Sequence, residues 1–239
     1  MFLQSILFKI VFYISIAFFG IFFLPCLVSK NATRKVVSLW AKVVIYLLQK
    51  LVGIKIDYSN HFIEKNQGYL IAANHQSIFE TIFFLKEFDK VVYVIKKELK
   101  YIPLYGWYAV RLGNIFLDRK KRIESMRILS REVGKLIKNK YKVIIFPEGT
   151  RQDRYTIGNI KTGIFALQKE LNNKVYPIYI NSGHAWSRTG KISNKNNINI
   201  KVLHPIQIDL KKEDFLNSLR KAFVKENEKN KIYVSEKYI

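Results

Sequence analysis

The chain has 239 residues, 49% hydrophobic and 25% charged, which is enough apolar material for one substantial core and argues against wholesale disorder. Lys and Arg number 41 against 18 Asp and Glu, a formal charge of +23 that favours polyanionic partners: nucleic acid, anionic lipid headgroups, or phosphorylated substrates and carriers. An AT-rich coding sequence would produce part of the same Lys, Ile and Asn excess. The single cysteine, Cys26, excludes an intramolecular disulfide, a Cys-rich zinc site and a Cys-based redox pair, and fits a reducing, cytosolic setting for the main domain.

In chain order, Ile10 to Val28 reads IVFYISIAFFGIFFLPCLV, free of charge and close to the ~20 residues that cross a bilayer core. A membrane segment is the expectation. The run exceeds the about 7 to 15 residues of a signal-peptide core and no A-x-A-like site follows, so a cleaved leader is the weaker reading. Pro25 ends or kinks the helix. Lys30, Arg34 and Lys35 after the run outweigh Lys9, which puts its C-terminal side at the cytoplasmic face.

Val36 to Ile54 repeats Val36, Trp40, Val43, Leu47 and Leu51 at helical spacing, interrupted by Lys42, Gln49 and Lys50. This reads as an amphipathic helix at an interface, with an ordinary core-facing helix as the alternative. The expected division is 1–58 for membrane-anchoring helices and 59–239 for an α/β domain.

From Tyr69 onward, β-type runs occur at 69–73, 91–95, 142–146, 175–180 and 198–203, alternating with helical patterns. The clearest helix carries Ile123, Met126, Leu129, Val133 and Leu136 on one face. The alternation predicts an α/β fold: a mixed, mainly parallel sheet flanked by helices, behind an N-terminal two-helix membrane-binding motif. The tail after Lys211 reads as a surface helix with a polar end. Several strands run into polar, Gly- or Pro-containing stretches, where α/β proteins place ligands.

Of four histidines, His75 alone stands at a probable strand end, in IAANHQSIFETIFF, with Glu80 five residues on. Five residues of helix turn about 500°, leaving the two side chains about 140° apart. They meet only if His75 lies in the turn and Glu80 in the first helical turn. A carboxylate on Nδ1 fixes the tautomer, frees Nε2 to take a proton and stabilises the imidazolium. Ser77-x-x-Glu80 is equally a capping box, in which Glu80 merely starts a helix, and Ser77 itself reads as an N-cap. The second cluster is KVIIFPEGTR: a strand ending in Pro147, Glu148, Gly149, Thr150 and Arg151. Gly149 permits a tight turn, and the Arg151 fork suits phosphate oxygens, although a strand turn with an exposed Arg reads the same way. His61, His184 and His204 lack a ligand-spaced or carboxylate neighbour and read as surface or structural histidines. H-E-x-x-H, P-loop and G-x-G-x-x-G patterns are missing, so no metal is expected. With no RNA-binding motif or interleaved basic-aromatic patch, no nucleic-acid partner is expected either.

Together, NHxxxxE and, about 70 residues later, FPEGTR resemble the signature of the glycerolipid acyltransferase family. GNIFLDR at 113–119 looks like its second block and VYPIYI at 175–180 its fourth, so the resemblance covers roughly residues 70–185. The family usually has Asp where this chain has Glu80, which lengthens the carboxylate arm by one methylene. The resemblance implies that His75 deprotonates an acceptor hydroxyl, with Glu80 as its partner, and that this oxygen attacks an acyl thioester without a covalent acyl-enzyme. The absence of a G-x-S-x-G elbow agrees with that. It further implies that Arg151, helped by Arg119, holds the acceptor phosphate, and that Glu148, Gly149 and Thr150 shape the substrate site. Lys161, before a probable helix, offers another phosphate contact or is simply solvated; Lys96 and Lys97 are weaker candidates. The implied reaction converts lysophosphatidic acid to phosphatidic acid at the cytoplasmic face of the inner (plasma) membrane. Its acyl-CoA or acyl-acyl carrier protein is a co-substrate, and no resident cofactor is implied. Glycerol 3-phosphate or another lysophospholipid is the alternative acceptor.

Overall fold

The computed structural model describes residues 2–118, 122–193 and 197–236. It contains an apolar helix α1 (Phe2–Phe22), a short 3-10 turn at Leu24–Val28, and α2 (Lys30–Leu47). Strand β1 (Ile56–Ser59) then enters the sheet, followed by β2 (Tyr69–Ala73), α3 (Phe79–Glu87), β3 (Val91–Lys96), α4 (Tyr105–Leu112) and β4 (Ile115–Leu117). The chain continues as α5 (Arg122–Lys138), β5 (Lys142–Ile145), α6 (Gly163–Leu171), β6 (Val175–Ile180), β7 (Ile198–Val202) and α7 (Lys212–Glu236).

The seven strands are ordered β1-β7-β6-β2-β5-β3-β4, and every pairing is parallel except β6 with β7. The expected mixed, mainly parallel sheet flanked by helices is therefore what forms. Alternate strand residues supply its two faces, as the period of two requires. Ile71, Ala73, Ile144, Ile178 and Ile180 share a core with Ala41 and Val44 of α2 and with Phe79, Ile82, Phe83 and Phe84 of α3. On the other face, Leu70, Ala72, Val143 and Tyr179 meet Leu129 and Val133 of α5, Leu167 of α6, and Phe215, Leu219 and Phe223 of α7.

The N-terminal helices differ in extent from the sequence reading. The apolar helix begins at Phe2 and stops at Phe22, and the run through Pro25 is a 3-10 turn, because Pro cannot donate the helical hydrogen bond. The second helix starts at Lys30, where the Ser29 hydroxyl caps Ala32 N, and loosens into a π turn at Leu48–Val52. α1 does not stand alone. Its Phe8 and Phe12 are buried against Trp186, the Ser15 hydroxyl accepts from Trp40 Nε1, and Ser5 reaches the Ile192 carbonyl. Its other side leaves Leu3, Leu7, Ile10, Tyr13, Ile14 and Phe22 exposed.

Candidate active site

Strands β2, β3 and β5 lie side by side and parallel, so their C-terminal ends open on one crevice. β2 runs out into Asn74 and His75. Buried Asn74 clamps the neighbouring strand end, its Nδ2 donating to the Ile180 carbonyl at 2.8 Å and its Oδ1 accepting from Ile180 N at 2.7 Å. This fixes where the chain leaves the sheet and therefore where His75 points.

His75 occupies the turn and Glu80 the first turn of α3, the arrangement the five-residue spacing demands. Glu80 is fully buried. Its Oε1 accepts from Gln76 N at 2.8 Å, Ser77 N at 2.9 Å and Ser182 Oγ at 2.6 Å, and its Oε2 accepts from Ser77 N at 3.0 Å. The Ser77 hydroxyl accepts from Phe79 N at 3.1 Å. The Glu80 half of a capping box is thus present, whereas the Ser77 hydroxyl closes a turn on Phe79 N and does not reach Glu80 N, and the turn and the histidine share one carboxylate. His75 Nδ1 stands 3.7 Å from Glu80 Oε2 and has no hydrogen-bond partner. That distance is outside hydrogen-bond range, because the cap donors hold the carboxylate back toward the turn. A ring shift of under about 1 Å closes it, and catalytic hydrogen bonds commonly tighten only with substrate.

The second cluster holds the same turn from the other side. Glu148 is buried, accepting from His75 N at 2.7 Å through Oε2 and from Gly158 N at 2.8 Å through Oε1. Burial pushes its pKa up to about 7, against the two backbone N–H groups that lower it, with the Glu80 charge raising it further. Gln152 N completes the tie by donating to the His75 carbonyl at 2.7 Å. Gly149 adopts φ +74°, and a Cβ there would stand 2.6 Å from Lys161 Nζ, so the Lys161 side chain lies over the glycine. The His75 ring stacks on Phe146, with centroids 4.0 Å apart and planes 18° apart.

His75, Phe146 and Gly149 border a cavity of about 340 Å³ whose lining also includes Lys96, Thr150, Arg151 and Arg188. Of the residues singled out in the sequence, His75, Glu80, Glu148, Gly149, Thr150 and Arg151 come together, Lys161 joins them through Gly149, and Lys96 lines the wall. Lys97 instead pairs with Asp118 at 3.2 Å, and Arg119 lies outside the described residues. Sequence reasoning did not single out Arg188, Ser182, Gln76 or Phe146. Arg188 reaches the cavity from beyond β6 and pairs with Asp153 at 3.3 Å. Ser182 follows the VYPIYI block by two residues, the one local signal available. Of the remaining histidines, His61 is exposed and His204 packs on Phe62. His184 is buried beside Tyr155, its pKa lowered to about 4 by burial and then by Arg154.

A second cavity, of about 320 Å³ and almost wholly apolar, lies between α1, α2, α3 and α4. Phe19, Gly20, Trp40, Ile82, Leu104 and Tyr105 are among its walls. Ile95 borders both cavities, so the apolar one adjoins the polar one.

The model of the family described as Acyltransferase matches residues 55–181. The chain belongs to the acyltransferase family. The matched span takes in His75, Glu80, Glu148 to Arg151 and Lys161, and ends before Arg188. The chain is 31% identical over 169 residues to a 1-acyl-sn-glycerol-3-phosphate acyltransferase of Pseudomonas aeruginosa, covering 71% of this chain and 66% of that one. It is 28% identical over 173 residues to the protein of the same name in Saccharomyces cerevisiae, covering 71% of this chain and 57% of that one. The match thus spans under two thirds of either relative's length. The fold is similar to the crystal structure of the 1-acyl-sn-glycerophosphate (LPA) acyltransferase PlsC from Thermotoga maritima. That likeness has a TM-score of 0.78 at 18% identity and covers 96% of this chain and 97% of that one.

Proposed function

We propose that this acyltransferase-family chain transfers a fatty acyl group from a thioester donor to the free hydroxyl of 1-acylglycerol 3-phosphate, forming phosphatidic acid. The observation that carries the reading is the polar cavity: an imidazole backed by a buried carboxylate and facing cations on the other walls. His75 Nε2 takes the hydroxyl proton as the acceptor oxygen attacks the thioester carbon. Glu80 stabilises the imidazolium through Nδ1. The C–S bond then breaks, and the departing sulfur leaves as a thiol with the proton from His75. Arg151 supplies the planar fork that a phosphate monoester needs, with Lys96 adding positive charge. Relatives named for lysophosphatidate acylation support the choice of acceptor.

The apolar cavity suits the donor's acyl chain. It adjoins the cationic site, and each methylene it removes from water contributes about 0.8 kcal/mol. α1 carries the domain along one side and bare apolar residues along the other, so we place it in one leaflet at the cytoplasmic face, as an interfacial anchor. The test is acyl transfer by the purified full chain, with acyl-CoA and acyl-acyl carrier protein in parallel. Lysophosphatidic acid is compared with glycerol 3-phosphate and with the unphosphorylated monoacylglycerol. Turnover of lysophosphatidic acid well above both others is expected; equal turnover of the monoacylglycerol would remove the phosphate from the account.

A further inference from the structure

Away from the catalytic cavity, the start of α2 gathers positive charge that the fold does not neutralise. Lys30 and Arg34, four residues apart, share one helix face. Both reach over the Tyr141 ring, Lys30 Nζ at 5.0 Å and Arg34 Cζ at 4.8 Å from its centroid, and Lys90 approaches the same ring at 5.7 Å. Arg111, in the last turn of α4, donates to the Val28 carbonyl. Burial, then the Arg34 charge, then the Arg111 charge lower the Lys30 pKa. Gly113 makes the space: a Cβ there would stand 2.8 Å from Lys30 Nζ.

Among the described residues, none of Lys30, Arg34 and Arg111 forms an ion pair. Arg34 donates to Asn31 Oδ1 at 3.0 Å, while its Nε is buried without a hydrogen-bond partner. The first turn of α2 contains no acidic residue, and the helix dipole adds its own positive end there. Partly desolvated like charges held together cost free energy unless an anion joins them.

The surroundings indicate which anion. Val28 is 82% exposed, and Trp107 and Val110, beside Arg111 on α4, are 53% and 46% exposed. A free phosphate has no use for such a rim, whereas a phospholipid presents acyl carbons beside its phosphate. Tyr141 and Gly113 precede β5 and β4, whereas His75 follows β2, so the cluster lies toward the opposite strand ends from the catalytic turn. We propose that Lys30, Arg34 and Arg111 form a binding site for the headgroup phosphate of an anionic glycerophospholipid of the bilayer, separate from the site of acyl transfer.

The test is sedimentation of the full chain with phosphatidylcholine vesicles, with and without a fixed fraction of phosphatidylglycerol, at constant ionic strength. It needs no turnover, so it stands or falls independently of the catalytic reading. A basic residue at an anionic surface is worth about fivefold in affinity. Lys30→Gln/Arg34→Gln/Arg111→Gln should therefore lose on the order of 10²-fold on anionic vesicles, with little change on neutral ones. The control, Arg220→Gln/Lys221→Gln/Lys225→Gln, removes the same charge from exposed positions on α7, across the sheet from α2. It should lose under about twofold, because exposed charges beyond a Debye length are screened. Equal losses in the two variants would reveal diffuse net charge, and no loss in either would reveal apolar anchoring alone; both overturn the site. A matching loss on neutral vesicles overturns it too, as does displacement of the wild type by inorganic phosphate against chloride at matched ionic strength. If the triple variant fails to fold by circular dichroism, Arg111→Gln alone should lose about fivefold, and unchanged binding would overturn the proposal.

Discussion

Replacing Glu80 with Gln separates the two duties of one carboxylate. If the Gln oxygen takes the place of Oε1, it keeps Gln76 N, Ser77 N and Ser182 Oγ, at 2.8, 2.9 and 2.6 Å in the wild type. The amide nitrogen then replaces Oε2, which lies 3.0 Å from Ser77 N and 3.7 Å from His75 Nδ1. One shared hydrogen bond and a buried charge are lost, for about 1–2 kcal/mol, or roughly 2–8 °C in Tm at this chain length. Such a protein remains folded. The amide, however, offers His75 a donor where the carboxylate offers an acceptor. His75 Nδ1 must then become an acceptor, the ring proton moves to Nε2, and the base is occupied. A wrong tautomer, with no charge to support the imidazolium, should cost on the order of 10²–10⁴ in kcat. Steady-state kinetics and thermal unfolding on the same preparation test this. A Gln variant with kcat within about threefold of wild type would refute the dyad and leave Glu80 as a helix cap alone.

Three further perturbations follow from the same geometry. Glu148 has its pKa raised from the ordinary 4.5 to about 7, so the folded state holds the proton to higher pH than the unfolded one. Its stabilising contribution is full below pH 4.5 and lost as pH rises through about 7. Glu148→Gln should flatten the pH dependence of Tm across that window while weakening the His75 N or Gly158 N tie; an unchanged slope would count against the assignment. Gly149→Ala forces a side chain into φ +74° and against Lys161, so thermal unfolding should show a loss of about 1–2 kcal/mol or more; a neutral effect would mean that the turn is not held as described. Gly20→Leu fills space beside Leu104, whose Cδ1 would lie 3.1 Å from the new Cβ, so competition between acyl donors should shift toward shorter chains. An unchanged length preference would move the acyl chain out of that cavity.

What the sequence showed, and what it did not, divides by the range of the interaction. That His75 and Glu80 could meet only with His75 in the turn and Glu80 in the first helical turn was legible from local spacing, as was the freedom of Gly149 to make a tight turn, because each rests on a few consecutive dihedrals. The parallel sheet followed from alternating apolar runs. β1 and β4 escaped notice: Ile56–Ser59 and Ile115–Leu117 are too short to show a period and exist because β7 and β3 pair with them. The 3.7 Å gap at His75 was also out of reach, since the carboxylate is held by its cap donors together with Ser182 Oγ, 102 residues from Glu80. Arg188 carries no local mark and reaches the cavity only through the turn beyond β6.

The most direct test of the central claim is single-turnover acyl transfer to lysophosphatidic acid by His75→Ala. The substitution removes a ring stacked on Phe146 but leaves the main-chain ties to Glu148 and Gln152, so folding should survive and be verified by thermal unfolding. Loss of the base should slow the chemical step by on the order of 10²–10⁴. A folded variant that transfers acyl groups at near wild-type rate would contradict the account.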